Sequence, residues 1–193
     1  MRKIFYEFSK PLPEELITSD FILRPLASTD INRDFEAYIA SPRTIKIHSM
    51  RLWEIENFSL EDDLELLRQH EERHLRREDF AFIILSPKLN LSLGCVYLLP
   101  LVKRHQQATD YGFDVRAVMV TFWTRDNLEE PGFSTNLVAS IKQWLKDSWE
   151  FSDYVFRINS EEIESKQALE ENRLNLCFKV NRDNSHTLLF YRE

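Results

Sequence analysis

The run NLEEPGFSTNLVASIKQWL, residues 127–145, passes from an acidic turn through one glycine into an amphipathic stretch. A helix starting just after such a glycine leaves its first amides without intrahelical partners, and with the helix dipole they form an anion site. Gly132, followed by Phe133, Ser134, Thr135 and Asn136, has the composition of a cradle for a diphosphate, because glycine lets a ligand approach the main chain closely. The same junction also serves as a plain turn before a packing helix, and one glycine does not decide between the two.

Other residue groupings carry chemistry on paper. His70-Glu71-Glu72-Arg73-His74 spells H-E-x-x-H, the helical zinc-hydrolase pattern, with two imidazoles on one face and a glutamate able to activate water. A third ligand is missing nearby, and the chain runs straight on into an apolar strand. The expectation is therefore no metal, with Glu71 and His74 hydrogen-bonded to backbone or to Arg24. His105, Asp110, Tyr111 and Asp114 supply acid–base groups in one loop, and Tyr97 lies on a nearby strand. For each, an exposed loop or a core tyrosine is the simpler reading. Trp53 and Phe58 either line an apolar pocket or cover the core. Cys95 is a poor nucleophile, because its apolar neighbours raise a thiol pKa.

Hydrophobic periodicity places these groups on elements. Residues 21–26 read as a strand, 28–41 as a helix, and 42–59 as irregular. Residues 59–79 form a helix whose core stripe is Leu60, Leu64, Leu67 and Leu75, and the acid run at 61–65 is its solvated start. Strands follow at 80–85, 93–101 and 116–124, with a polar loop over 102–114. A helix then presents Leu137, Ile141, Trp144 and Leu145 on one side. A strand at 154–158, a helix at 160–174, and a hairpin of 176–180 with 187–191 complete the order βααβββαβαββ.

A chain of 193 residues with a 43% hydrophobic fraction suits one domain over 1–193. The net charge of −7 argues against nucleic acid as partner. No stretch has the length of a membrane span, and two cysteines in apolar runs fit a reducing compartment, so the expected location is the cytoplasm.

The element order, with LRPL, FAFIILSPKLNLSLGCVYLLPL and VTFWTRDNLEEPGFSTNL, resembles the GNAT superfamily of CoA-dependent N-acetyltransferases, from about Phe21 to Val180. The stretch from His70 to Trp149 is also similar to a narrower group of acetyltransferase-like proteins. The resemblance implies a mixed, mainly antiparallel central sheet flanked by helices on both faces. It implies acetyl-CoA as co-substrate and a small amine as acceptor. It places the pantetheine arm along Phe122, Trp123 and Thr124, and the diphosphate on Gly132, Phe133, Ser134, Thr135 and Asn136.

Five positions depart from that pattern. Glu129 stands where a neutral or cationic residue is expected, and a carboxylate about 5 Å from a phosphate costs about 1 kcal/mol in water-like surroundings. Arg125 is the cation expected to offset it. Leu169 stands near the place of the tyrosine that protonates the departing thiolate, and Met119 takes the place of a frequent glutamate base. Arg173-Leu174 replaces a Gly-Phe pair. No catalytic residue is assigned at this level, and a member that has lost catalysis and only binds a ligand or partner is the alternative.

Overall fold

FAFIIL and VMVTFW bury every residue, so they can only be inner strands covered on both faces. In the computed structural model, residues 5, 11–53, 56–88, 90–126, 128, 130–182 and 186–193 are described. The elements run β1 (Leu16–Ile17), β2 (Ile22–Pro25), α1 (Ile31–Ile39), α2 (Pro42–His48), α3 (Leu60–Leu75), β3 (Phe80–Leu85) and β4 (Ser92–Pro100). They continue with α4 (Leu101–Arg104), β5 (Val118–Thr124), α5 (Phe133–Ser148), β6 (Tyr154–Asn159), α6 (Ile163–Glu171), β7 (Asn175–Asn181) and β8 (Thr187–Arg192). The eight strands form one sheet in the order β1-β2-β3-β4-β5-β6-β8-β7. Every neighbouring pair is antiparallel except β5 with β6.

Strand alternation sorts the side chains into two layers. Phe80, Phe82, Val96, Leu98, Val118, Val120 and Phe122 face α5, whose Leu137, Ile141, Trp144 and Leu145 are buried against them as the periodicity predicts. Ala81, Ile83, Cys95 and Trp123 face the opposite layer, with Ala37 and Tyr38 of α1, Ile45 of α2 and Leu67 of α3.

Two helical expectations change. Residues 42–48, expected to be irregular, form α2, with Pro42 at its first turn, where a missing N–H costs nothing. In α3 the buried residues are Asp63, Leu67 and His74, whereas Leu60 and Leu75 are exposed. The helix is rotated from its apolar stripe, so the acid run is not wholly solvated. Ser59 caps α3 by accepting from the Asp62 amide at 3.2 Å. The loop at 102–114 begins with α4 and continues as a tight turn over Gln106–Tyr111.

Gly94 holds the centre of the sheet together. It lies opposite Thr124 with φ +132°, and a Cβ built on it would stand 2.0 Å from the Trp123 carbonyl oxygen. A side chain there must push β4 off β5. The substitution Gly94→Ala is expected to cost about 2 kcal/mol or more, by strain of the overpacking kind, measured by urea unfolding.

Candidate functional site

The site begins where two strands part. β5 and β6 pair in parallel from Val118 with Tyr154 to Val120 with Phe156, and no further. Beyond that point β5 stays on β4 through Thr124 with Gly94, and β6 stays on β8 through Asn159 with Leu188. The main-chain groups of 121–124 that face β6 are left without a strand partner. Unpaired backbone donors and acceptors in a cleft invite a ligand that carries amides.

Helix α2 bridges the parting. At its start the Arg43 and Thr44 amides donate to the Asp126 carboxylate at 3.0 Å each. At its end the Ile47 carbonyl accepts from Asn159 Nδ2 at 2.8 Å. A groove of about 960 Å³ opens beneath it, bounded by Thr124, Gly132, Ser134, Thr135 and Gln167.

Gly132 takes the left-handed conformation at φ +81°, and a Cβ there would meet nothing within 4 Å. The glycine is thus required by backbone conformation rather than by space. The Phe133 amide donates to the Glu130 carbonyl at 3.2 Å, and the Asn136 amide to the Gly132 carbonyl at 3.0 Å. The amides of Ser134 and Thr135 have no backbone acceptor among the described residues.

The remaining expected positions divide. Phe122 lends the groove main chain, with its ring in the α5 layer. Trp123 is buried on the other face and donates Nε1–H to the Tyr97 hydroxyl at 3.4 Å. Phe133 packs edge-on to Phe21 at 5.8 Å. The Thr135 hydroxyl donates to Glu171 at 2.7 Å. Asn136 lies outside the groove, and its side chain donates to Asp20 at 3.1 Å. Arg125 is committed to Glu36 at 2.7 and 2.8 Å, which disposes of its charge as an offset to the acidic turn. Glu129 itself lies outside the described residues. Leu169 and Met119 are buried in the core, as non-titrating side chains should be.

Sequence reasoning missed the most reactive pair. His48 ends α2 with 3% exposure, and its Nδ1 lies 3.0 Å from Glu162 Oε1. In the tautomer that places the hydrogen on Nδ1, His48 donates to Glu162 Oε1. Glu162 Oε2 is buried with no hydrogen-bond partner among the described residues.

His48 and Trp123 line not only this groove but also a second cavity of about 560 Å³ on the α1–α3 side. Trp53 and Phe58 form part of its wall, with Tyr38, Leu66 and Leu67, while Tyr97, Thr121 and Arg157 belong to its floor. Asp34 and Asp63 also reach it. Burial, opposed by a hydrogen bond from Cys95 Sγ, pushes Asp34 up to about 6. Burial and the charge of Asp34 push Asp63 up to about 7.

The other sequence candidates have structural partners. Glu71 accepts from the Ser28 amide at 3.2 Å, whereas Arg24 pairs with Asp30. His74 lies edge-on between Phe80 and Phe82, and His70 against Tyr97. Among the described residues no group of three or more metal-ligating side chains converges. Tyr111 stacks on Phe178 and His105 packs edge-on to Phe190, while Asp114 accepts from the Arg116 amide. Burial, chiefly, and the Asp34 charge hold the Cys95 thiol well above its usual pKa.

Solved structures share this architecture. A ribosomal-protein-S5-alanine acetyltransferase from Vibrio fischeri superposes with a TM-score of 0.75 at 11% identity, covering 94% of this chain and 96% of its own. A ribosomal L7/L12 α-N-protein acetyltransferase in complex with coenzyme A gives 0.71 at 11% identity, with 93% and 97% covered. A GNAT-family acetyltransferase from Bacillus anthracis gives 0.68 at 9% identity, with 92% and 96% covered. The fold is that of the GNAT acetyltransferases. No protein-family model matches the chain, and no curated protein matches it in sequence. The GNAT fold accounts for the mixed sheet with helices on both faces, and no helix among the described residues is long and apolar enough to cross a membrane.

The raised carboxyl of Asp63 sets a stability trend. Its folded pKa near 7 exceeds the unfolded value near 4, so the folded state holds the extra proton between them. Stability attributable to this group is complete below about pH 4 and declines as pH rises through 7. In thermal melts across that range, Asp63→Asn is expected to flatten the decline and to raise Tm by a few degrees at pH 8.

Proposed function

We propose that the protein is a GNAT-type acyltransferase that moves an acetyl group from acetyl-CoA to a small amine in the cytoplasm. The observation that carries this reading is the parting of β5 and β6 beside the amide end of α5, opening on the groove. The unpaired main chain of 121–124 fits the amides of a pantetheine arm, and the Ser134 and Thr135 amides fit a diphosphate. Acetyl-CoA would supply an acyl group already activated as a thioester. The two free cysteines suit a reducing compartment.

The chain's own contribution is proton handling and confinement. His48 stands where the groove meets the second cavity, and in the tautomer with its hydrogen on Nδ1 its Nε2 would take a proton from an acceptor amine. Glu162 holds the ring in that tautomer and stabilises the imidazolium that forms. Trp123, with its ring fixed on Tyr97, separates the two chambers.

The second reading is a binding module without catalysis. It is favoured by the groove's acidity, since Glu130, Glu161, Glu164 and Glu171 line it while Arg125 is engaged elsewhere. Calorimetry with CoA and acetyl-CoA separates the readings. Affinity in the micromolar range with acetyl transfer to an amine panel supports the enzyme. Tight CoA binding without transfer supports the module, and no binding at millimolar CoA removes the enzyme reading.

If His48 is the base, His48→Ala lowers kcat about a hundredfold and leaves CoA affinity within about twofold. Glu162→Gln, which removes the charge but keeps a partner for Nδ1, is expected to cost about tenfold. Steady-state kinetics beside calorimetry checks both, and an unchanged kcat in the histidine variant rejects the assignment.

A further inference from the structure

Asp63 projects from α3 into the second cavity with 3% exposure, and its Oδ2 has no hydrogen-bond partner among the described residues. Burying a carboxyl group without a partner is costly, so its retention calls for something that pairs with it. Nearby cations do not serve. Arg73 and Arg104 share Asp79 at 3.2 and 3.3 Å, and Arg157 donates to the Thr121 hydroxyl at 2.6 Å. The walls are aromatic. The Tyr38 ring lies 4.6 Å from that of Phe58 and 6.3 Å from that of Trp53, and Leu66 and Leu67 complete the apolar surface. Ring faces attract cations, most strongly where water is excluded. Arg73, Arg104 and Arg157 also line the cavity, but the rings and leucines together with the unpartnered Asp63 complement an organic cation, with its hydrocarbon on the rings and its charge on the carboxylate.

We propose that this cavity is a seat for an alkylammonium group, with Asp63 as its counter-ion and Tyr38, Trp53 and Phe58 as its walls, so that the acceptor is a diamine. The role of acceptor rests on the acetyl-transfer reading, whereas the ammonium seat stands without it. Asp34, which accepts from Cys95 Sγ at 3.3 Å, places this end of the cavity over β4. His48 stands over the parting of β5 from β6. β4 and β6 lie at least two strand spacings apart here, about 10 Å or more, so an aliphatic diamine can seat one nitrogen at Asp63 and bring the other towards His48. A monoamine of the same length puts its only nitrogen on Asp63 and is held away from the base.

Calorimetry with cadaverine on the intact chain tests the seat, with CoA titrated separately into every variant. Asp63→Asn is expected to weaken cadaverine at least tenfold and to leave CoA affinity unchanged. Phe58→Ala is expected to weaken cadaverine several-fold, again without effect on CoA. A single cooperative melting transition in each variant confirms that the fold survives. With acetyl-CoA present, cadaverine is acetylated, whereas pentylamine binds, is not turned over, and inhibits competitively. Equal cadaverine affinity in the wild type and Asp63→Asn overturns the proposal. So does the absence of cadaverine binding at millimolar concentration, or acetylation of a short peptide's amino terminus at a rate Asp63→Asn does not change. Loss of CoA binding alone would remove the transferase reading and leave the seat standing.

Discussion

The structure turns on two strands that stop pairing halfway along their length. After Val120 and Phe156 each strand leans on its outer neighbour, β5 on β4 and β6 on β8, so each keeps half of its hydrogen bonds while giving up the other half. Backbone groups left open in this way are costly if buried dry, so the cleft must stay wet or accept a ligand. The groove, the exposed first turn of α5 and the placement of His48 are all arranged around that opening.

Charge sets a second constraint. Several acids near the groove already have partners within the fold: Asp126 takes the first amides of α2, Glu171 takes Thr135, and Glu161 pairs with Arg51 at 3.3 Å. These contacts spread the negative charge without cancelling it. An anionic ligand therefore depends on local amide donors rather than on the overall field, which is repulsive. The same field favours cations.

Much of the fold is legible in the sequence because long periodic segments carry it. The apolar face of α5 and the doubly buried β3 and β5 follow directly from residue order, and Gly132 marks its own turn. The site is less legible for a physical reason. α2 has only seven residues, too few to show a period, and its signal is Ser41 ahead of Pro42 with Ile45 and His48 turned inward. In α3 the apolar stripe misleads, because the inward face borders a cavity and carries Asp63 and His70 beside Leu67, while Leu60 and Leu75 turn outward. Glu162 lies just before α6, and nothing local in sequence joins it to a histidine more than a hundred positions earlier. Polar side chains that interrupt an apolar face were the available clue.

The short helix across the cleft also gauges it. α2 is tethered to Asp126 just past β5 and to Asn159 at the tip of β6, and seven residues at helical rise span about 10 Å. Adjacent strands in a sheet lie about 4.8 Å apart, so a spacer of that length leaves room for about one absent strand. An extended arm bearing amides would thus complete the sheet as a surrogate strand. A rigid strut cut to that width needs no hinge to admit it.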